Sequence, residues 1–246
     1  MKKLITIMVF TLGLAIPLVA GPAQADDDKG RVVDFSAACM SKYIWRGIMQ
    51  VDNPTLQPAV NIIKNGFTFN VWGNYDLTDK NDRKNKFSEI DLTAEYAFSL
   101  GDFSMPVSVI HYEFPRTSFE PTTELYASVN YFWIITPSDK VFKDVDESHG
   151  IYVLGSLAYA LDLPSPAKEA SWDIAASISE ASANKDNNKF YWGGTDEDAF
   201  TDSLLAIGVP IKVMDWINII PPSTRSGSWT ARLRTPPATT ARATSA

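Results

Sequence analysis

The chain has 246 residues, of which 45% are hydrophobic and 12% aromatic, yet its mean hydropathy is only -0.09. No apolar run of about 18 residues follows the first twenty, which excludes a bundle of spanning helices and leaves room for strands that alternate apolar and polar residues. The formal net charge of -7 hides a more acidic body, where residues 26–220 hold all 29 acids against 16 of the 22 bases, a net of -13 and a balance that argues against nucleic acid as a partner.

In chain order, Lys2 and Lys3 precede an apolar stretch from Leu4 to Ala20. Ala23-Gln24-Ala25 then forms a small-x-small cleavage site, followed by Asp26-Asp27-Asp28. Residues 1–25 read as an export leader removed after Ala25. The single cysteine, Cys39, can form no internal disulfide.

Period two governs the body of the chain from residue 33 onward. Between residues 33 and 46, Val33, Phe35, Ala37, Cys39, Tyr43 and Trp45 share one face, and Asp34, Ser36, Lys42 and Arg46 the other. Phe67, Phe69, Val71 and Tyr75 alternate with Thr68, Asn70, Asn74 and Asp76. Ile90, Leu92, Ala94, Tyr96 and Phe98 alternate with Glu89, Asp91, Thr93 and Glu95, and Leu125, Ala127, Val129, Tyr131 and Trp133 with Glu124, Tyr126, Ser128 and Asn130. Eleven strands are expected near residues 32–46, 55–63, 67–77, 87–99, 103–114, 123–135, 140–146, 150–162, 171–181, 199–212 and 216–220. Their length suits tilted membrane strands. A water-soluble sandwich also alternates, but a packed core would not tolerate so charged a second face.

The even connections are Lys64-Asn65-Gly66, Leu100-Gly101-Asp102, Thr136 to Asp139, Leu163 to Ala170 and Val213 to Asp215, and most are short, whereas the odd ones include Asp79 to Lys86 and the polar run Ser182 to Asp198. Short turns at one end and long loops at the other are the habit of outer-membrane barrels. The expected fold is therefore all-β, an antiparallel transmembrane barrel of about 12 strands over residues 26–220. Parity demands a twelfth strand, but Pro221 to Ala246 is rich in Thr, Ala, Arg, Pro and Ser, has no acid and does not alternate. That tail reads as a disordered extension, or as the product of an altered frame or truncation that displaces the last strand.

The run Ser41-Lys42-Tyr43-Ile44-Trp45-Arg46-Gly47-Ile48-Met49-Gln50 is the most distinctive in the chain. With Gly66-Phe67 and Val71-Trp72-Gly73-Asn74 after it, and the Thr136-Pro137-Ser138 turn later, it resembles a group of uncharacterised proteobacterial outer-membrane proteins. Those open with a Ser-x-Tyr-x-aromatic-Arg-Gly strand. The resemblance spans residues 30–220 and implies a porin-like barrel without naming a substrate.

The polar faces supply the candidate lumen-lining residues: Lys42, Arg46, Asp76, Glu89, Asp91, Glu95 and Glu124. Two readings of them stand, a filled lumen in which acids and bases pair and a pore whose acidic wall favours cations. The apolar faces end in candidate interfacial aromatics, Tyr43, Trp45, Tyr96, Phe98, Tyr131 and Trp133. No catalytic, cofactor or metal constellation is expected. His111 and His149 stand apart, and the acids of Asp144 to Glu147 and Asp196 to Asp198 read as solvated loop residues rather than calcium ligands.

The expected protein is exported and resides in the outer membrane, with lipid, the barrel-assembly machinery and small solutes as its partners. A porin-like passive channel is the leading expectation. A non-conducting adaptor barrel that docks periplasmic envelope proteins is the alternative, and a soluble periplasmic binding protein stands third.

Overall fold

The computed structural model describes residues 5–11, 32–163, 171–192, 196–208, 211–214, 217–220 and 227–228. The described residues form strands β1 (Ile5–Thr11), β2 (Val32–Met40), β3 (Tyr43–Trp45), β4 (Ile48–Val51), β5 (Thr55–Lys64), β6 (Phe67–Asp76), β7 (Lys86–Leu100) and β8 (Phe103–Glu113). They continue as β9 (Thr122–Tyr131), β10 (Thr136–Asp144), β11 (Ile151–Leu163), β12 (Ser171–Ala183), helix α1 (Lys185–Trp192), β13 (Ala199–Gly208), β14 (Ile211–Met214), β15 (Ile217–Ile220) and the short β16 (Gly227–Ser228).

The chain is all-β around one large sheet. From β2 the strands meander antiparallel through β5, β6, β7, β8, β9 and β10 to β11. β11 also pairs with β12, and β12 pairs on its other edge with β13 and then β14, which turns back to β15. β1 lies parallel between β15 and β2. β3 and β4 form a separate two-stranded hairpin.

Turn chemistry explains much of this register. Lys64 pairs with Phe67 across Asn65-Gly66, both in the left-handed region with φ of 51° and 79°. Such a two-residue turn matches the twist of its flanking strands, and Asn-Gly adopts it at least cost. Trp45 pairs with Ile48 across Arg46-Gly47, with φ of 47° and 73°. This is the same kind of turn, carried by a residue that sequence reasoning does not associate with it.

The second turn is why the expected strand over 32–46 is too long. β2 stops at Met40, and residues 43–51 fold back as their own hairpin, whose first arm continues the alternation and so mimics a longer strand. A second correction concerns Thr136 to Asp139, read as a turn. β10 begins at Thr136, with Ser138 opposite Asn130, so the connection is residues 132–135. Its apolar side chains imitate strand continuation, yet Trp133 is 71% exposed. The other described strands fall close to their expected places. The leader's cleavage site, residues 164–170 of the Leu163 to Ala170 connection, and residues 221–226 and 229–246 lie outside the described residues.

The two sides of the sheet invert the usual arrangement. Only eight hydrophobic side chains are buried among the described residues, against fifteen polar or charged ones. Phe35, Ile62, Phe69, Leu92, Val107, Leu125, Val141, Leu157, Ile178 and Leu205, on successive strands, are all exposed on the other face. A soluble domain would forfeit about 1.5–3 kcal/mol of burial for each such side chain left in water.

Candidate functional site

The buried face of the sheet and the hairpin that lies against it form the candidate site. β2 delivers the chain to residue 40, and the hairpin then turns away from the wall. Its tip reaches strands that are distant in the pairing order. Arg46 donates from Nη1 and Nη2 to the two oxygens of Glu124 on β9, at 2.8 and 2.7 Å. Both partners are buried, and paired guanidinium-to-carboxylate contacts of this kind fix orientation as well as charge. The guanidinium carbon lies 4.3, 4.6 and 4.2 Å from the ring centroids of Trp45, Phe142 and Tyr152, distances that suit cation–π attraction in a dry setting. Burial, the largest single influence, would lower the Arg46 pKa, but the Glu124 carboxylate, Tyr112 and Tyr152 together outweigh it and hold the value above the ordinary one.

The rest of the hairpin is equally engaged. The buried Tyr43 hydroxyl donates to Glu89 Oε1 at 3.1 Å, and its ring tilts against Trp72 at 5.6 Å. Burial, then the neighbouring Glu89 charge, pushes the Tyr43 hydroxyl well above its usual pKa. Trp45 meets Tyr112 at 6.3 Å and Tyr191 at 5.1 Å, both edge-on. At the tip, a Cβ added to Gly47 would come within 2.9 Å of the Asp202 Cβ and 3.2 Å of the Trp192 ring. Only a residue without a side chain seats here.

Helix α1 closes in beside the hairpin. Asn184 caps it, its Oδ1 accepting the Asn187 amide at 3.2 Å. Tyr191 donates to Asp144 at 3.2 Å. That carboxylate also accepts from Thr122 at 2.9 Å and from the Asp146 amide at 2.9 Å, so Asp144, expected as a solvated loop acid, is instead the buried last residue of β10 and organises the turn that follows it. Among the described residues no group of three or more His, Cys, Asp or Glu side chains is disposed to hold a metal ion.

The structure brings most of the expected lining residues onto one face. Glu124, Glu89 and Asp91 lie around the hairpin. Asp76 is buried in a ladder in which Gln57 donates to Asn74, Asn74 donates to Asp76 and Ser88, and Arg83 pairs with Asp76 at 3.1 Å. Glu95, further along β7, accepts the Tyr126 hydroxyl. Lys42 is the exception. It is half-exposed in the connection before the hairpin and pairs with Asp52.

Of the expected interfacial aromatics, Tyr96, Phe98 and Trp133 are exposed on the outer side, joined by Phe67 and Phe103. Tyr96 packs on Phe67 at 4.6 Å, and Tyr131 on Phe103 at 4.8 Å. Tyr43 and Trp45 are not interfacial. The Arg46-Gly47 turn carries them inward, onto Trp72 and Tyr112. His111 faces outward, against Thr123 at 3.0 Å and Glu113 at 3.1 Å.

Sequence reasoning missed Trp72, Tyr112, Phe142, Tyr152, Tyr191 and Asp202. Tyr112 was within reach, because it shares the parity of Ser108 on β8 and sits opposite Asp91. The others depend on where the hairpin lands.

A family model described as a bacterial protein of unknown function (Gcw_chp) matches residues 24–209. The chain belongs to the Gcw_chp family. The matched Gcw_chp region takes in the hairpin, α1 and every strand from β2 to β13. No curated protein and no solved structure matches the chain.

Proposed function

We propose that this protein is an outer-membrane β-barrel that passes small solutes, with residues 43–51 as a constriction inside it. The carrying observation is the inversion of the sheet: polar and charged side chains buried, large apolar ones exposed strand after strand. Lipid is the solvent in which such a surface is stable.

The pairings support closure. β11 pairs with β12, and β12 with β13 and β14, so the strands from β5 to β12 that belong to the large sheet have neighbours on both sides; β1, which bridges β15 and β2, lies within the leader, and once it is cleaved β2 and β15 must meet each other. Backbone groups in hydrocarbon require this. The aromatics support the membrane's position. Phe87 and Phe98 are both exposed on β7. Eleven residues apart at ~3.3 Å each and tilted by ~45°, they stand about 25 Å apart along the membrane normal, the height of an outer-membrane apolar band.

On this reading residues 1–25 are the export leader. The resemblance to porin-like outer-membrane proteins belongs to the same reading, as does dependence on the barrel-assembly machinery. The protein works by selective passage and carries out no catalysis.

A second reading is a non-conducting barrel that docks periplasmic proteins. The hairpin and α1 favour it to the extent that they fill one end of the inner space. Single-channel recording in a planar bilayer separates the two. Small, discrete conductance steps are expected, and steps that enlarge when residues 43–51 are replaced by a Gly-Ser linker. A folded, inserted protein silent in both forms overturns the channel.

A further inference from the structure

We infer that the wall beneath the hairpin binds a small organic cation carrying ammonium or guanidinium groups, with Asp91 as its anchor. This rests on the channel reading for access and names the solute class that the channel favours.

Asp91 lies on the inner face of β7, directly opposite Trp72 on β6 and Tyr112 on β8. Side chains so paired stand within about 5.5 Å of each other at Cβ, so the carboxylate has an aromatic ring on either hand. Its Oδ1 is buried and has no hydrogen-bond partner. It lies within electrostatic reach of Glu89 and Glu124.

The neighbouring carboxylates have partners that Asp91 lacks. Glu124 takes Arg46 and the Tyr112 hydroxyl, at 2.8 Å for the latter. Glu89 takes the Tyr43 hydroxyl. No ion pair among the described residues gives Glu89 or Asp91 a cation. Three acids thus stand against one guanidinium, and a buried carboxylate without a counter-charge is costly.

The missing charge fits an organic cation better than a metal ion. Glu89 and Asp91 are two residues apart on one strand, about 6.5 Å along the backbone, and among the described residues no group of three or more His, Cys, Asp or Glu side chains is disposed to hold a metal ion. An extended cation can span that gap, with the aromatic residues Trp72 and Tyr112 opposite Asp91 on the flanking strands.

Agmatine, with an ammonium at one end and a guanidinium at the other, is the probe. The leaderless protein, refolded in detergent micelles, is titrated with it calorimetrically at pH 7.5. Saturable binding is expected, weakened at least tenfold by Asp91→Asn and changed less than twofold by Glu113→Gln, exposed beside the outward-facing His111. Heat-modifiable gel mobility shows that each variant is folded. Should Asp91→Asn not fold, the unaltered protein still decides: millimolar guanidinium must compete with agmatine and urea must not. Absence of saturable binding, undiminished binding by folded Asp91→Asn, or equal competition by urea overturns the site. Binding without conductance overturns the channel and leaves the site standing, and conductance without binding does the reverse.

Discussion

Arg46 shows how one residue can hold a segment in place. A guanidinium dried by three rings is stable only while its carboxylate stays with it, and removing one partner of such a pair costs about 3–5 kcal/mol. Glu124→Gln is therefore expected to release the hairpin before it unfolds the sheet. Limited proteolysis should then cut within residues 43–51 in a protein that still migrates as folded, and unchanged protection would show that the pair does not hold the hairpin. The exposed end of the same connection behaves differently. Lys42 first, then Lys80, holds the Asp52 carboxyl below its usual value of 3.8. A carboxylate so lowered contributes stability above its unfolded value and loses it as pH falls through the folded one. The base of the hairpin should thus keep its protease resistance down to pH 4 and loosen only below that. Being solvent-exposed, this contact should also weaken in high salt. Loosening already at pH 6 would implicate some other group.

At the scale of the strand, β7 carries the clearest contrast between faces. Leu92 is exposed among apolar neighbours, while Thr93 lies on the polar side with Asp91 and Glu95. Leu92→Arg should cost roughly 2–4 kcal/mol at mid-membrane depth and reduce the heat-modifiable folded fraction, with Thr93→Arg nearly silent. Equal damage at both positions would mean that the outer face does not meet lipid. Strand positions and face assignments on β6, β7 and β9 were legible in the sequence, because alternation is a local property that each strand carries in its own residues. The polar face of β7 was legible for the same reason. The hairpin was not. Tyr43 and Trp45 keep period two whether they continue a strand or begin a new one, and the only local sign of the turn is Gly47, preceded by an arginine in a backbone region that arginine seldom enters. The inward fate of these aromatics is decided by Glu89, Tyr112 and Glu124, residues far along the chain. The connection over residues 132–135 is hidden in the sequence because Phe132, Trp133, Ile134 and Ile135 have strand-like composition in a turn.

For the whole molecule, the export reading makes the first prediction. Mass spectrometry of the membrane-inserted protein should find Asp26 as its first residue, since Ala23 and Ala25 suit signal-peptidase geometry. A chain in the outer-membrane fraction that still begins at Met1 would refute it and would keep β1 in the assembled sheet. The seat of Gly47 against Asp202 and Trp192 has a kinetic meaning as well. The hairpin belongs to the start of the chain and its socket to the end, and contacts so distant in sequence form late. Arg46 therefore keeps its hydration shell through most of folding and surrenders it in one of the last steps, when β9, β10 and β11 are in place. In a water-soluble domain the late transition state has already buried an apolar core, whereas here the final event is the drying of an ion pair. Interactions absent from the transition state govern the unfolding rate alone. Stopped-flow measurements on Arg46→Ala should accordingly find unfolding accelerated and refolding nearly unchanged, so that the hairpin acts as a clasp that sets how long the assembled protein lasts.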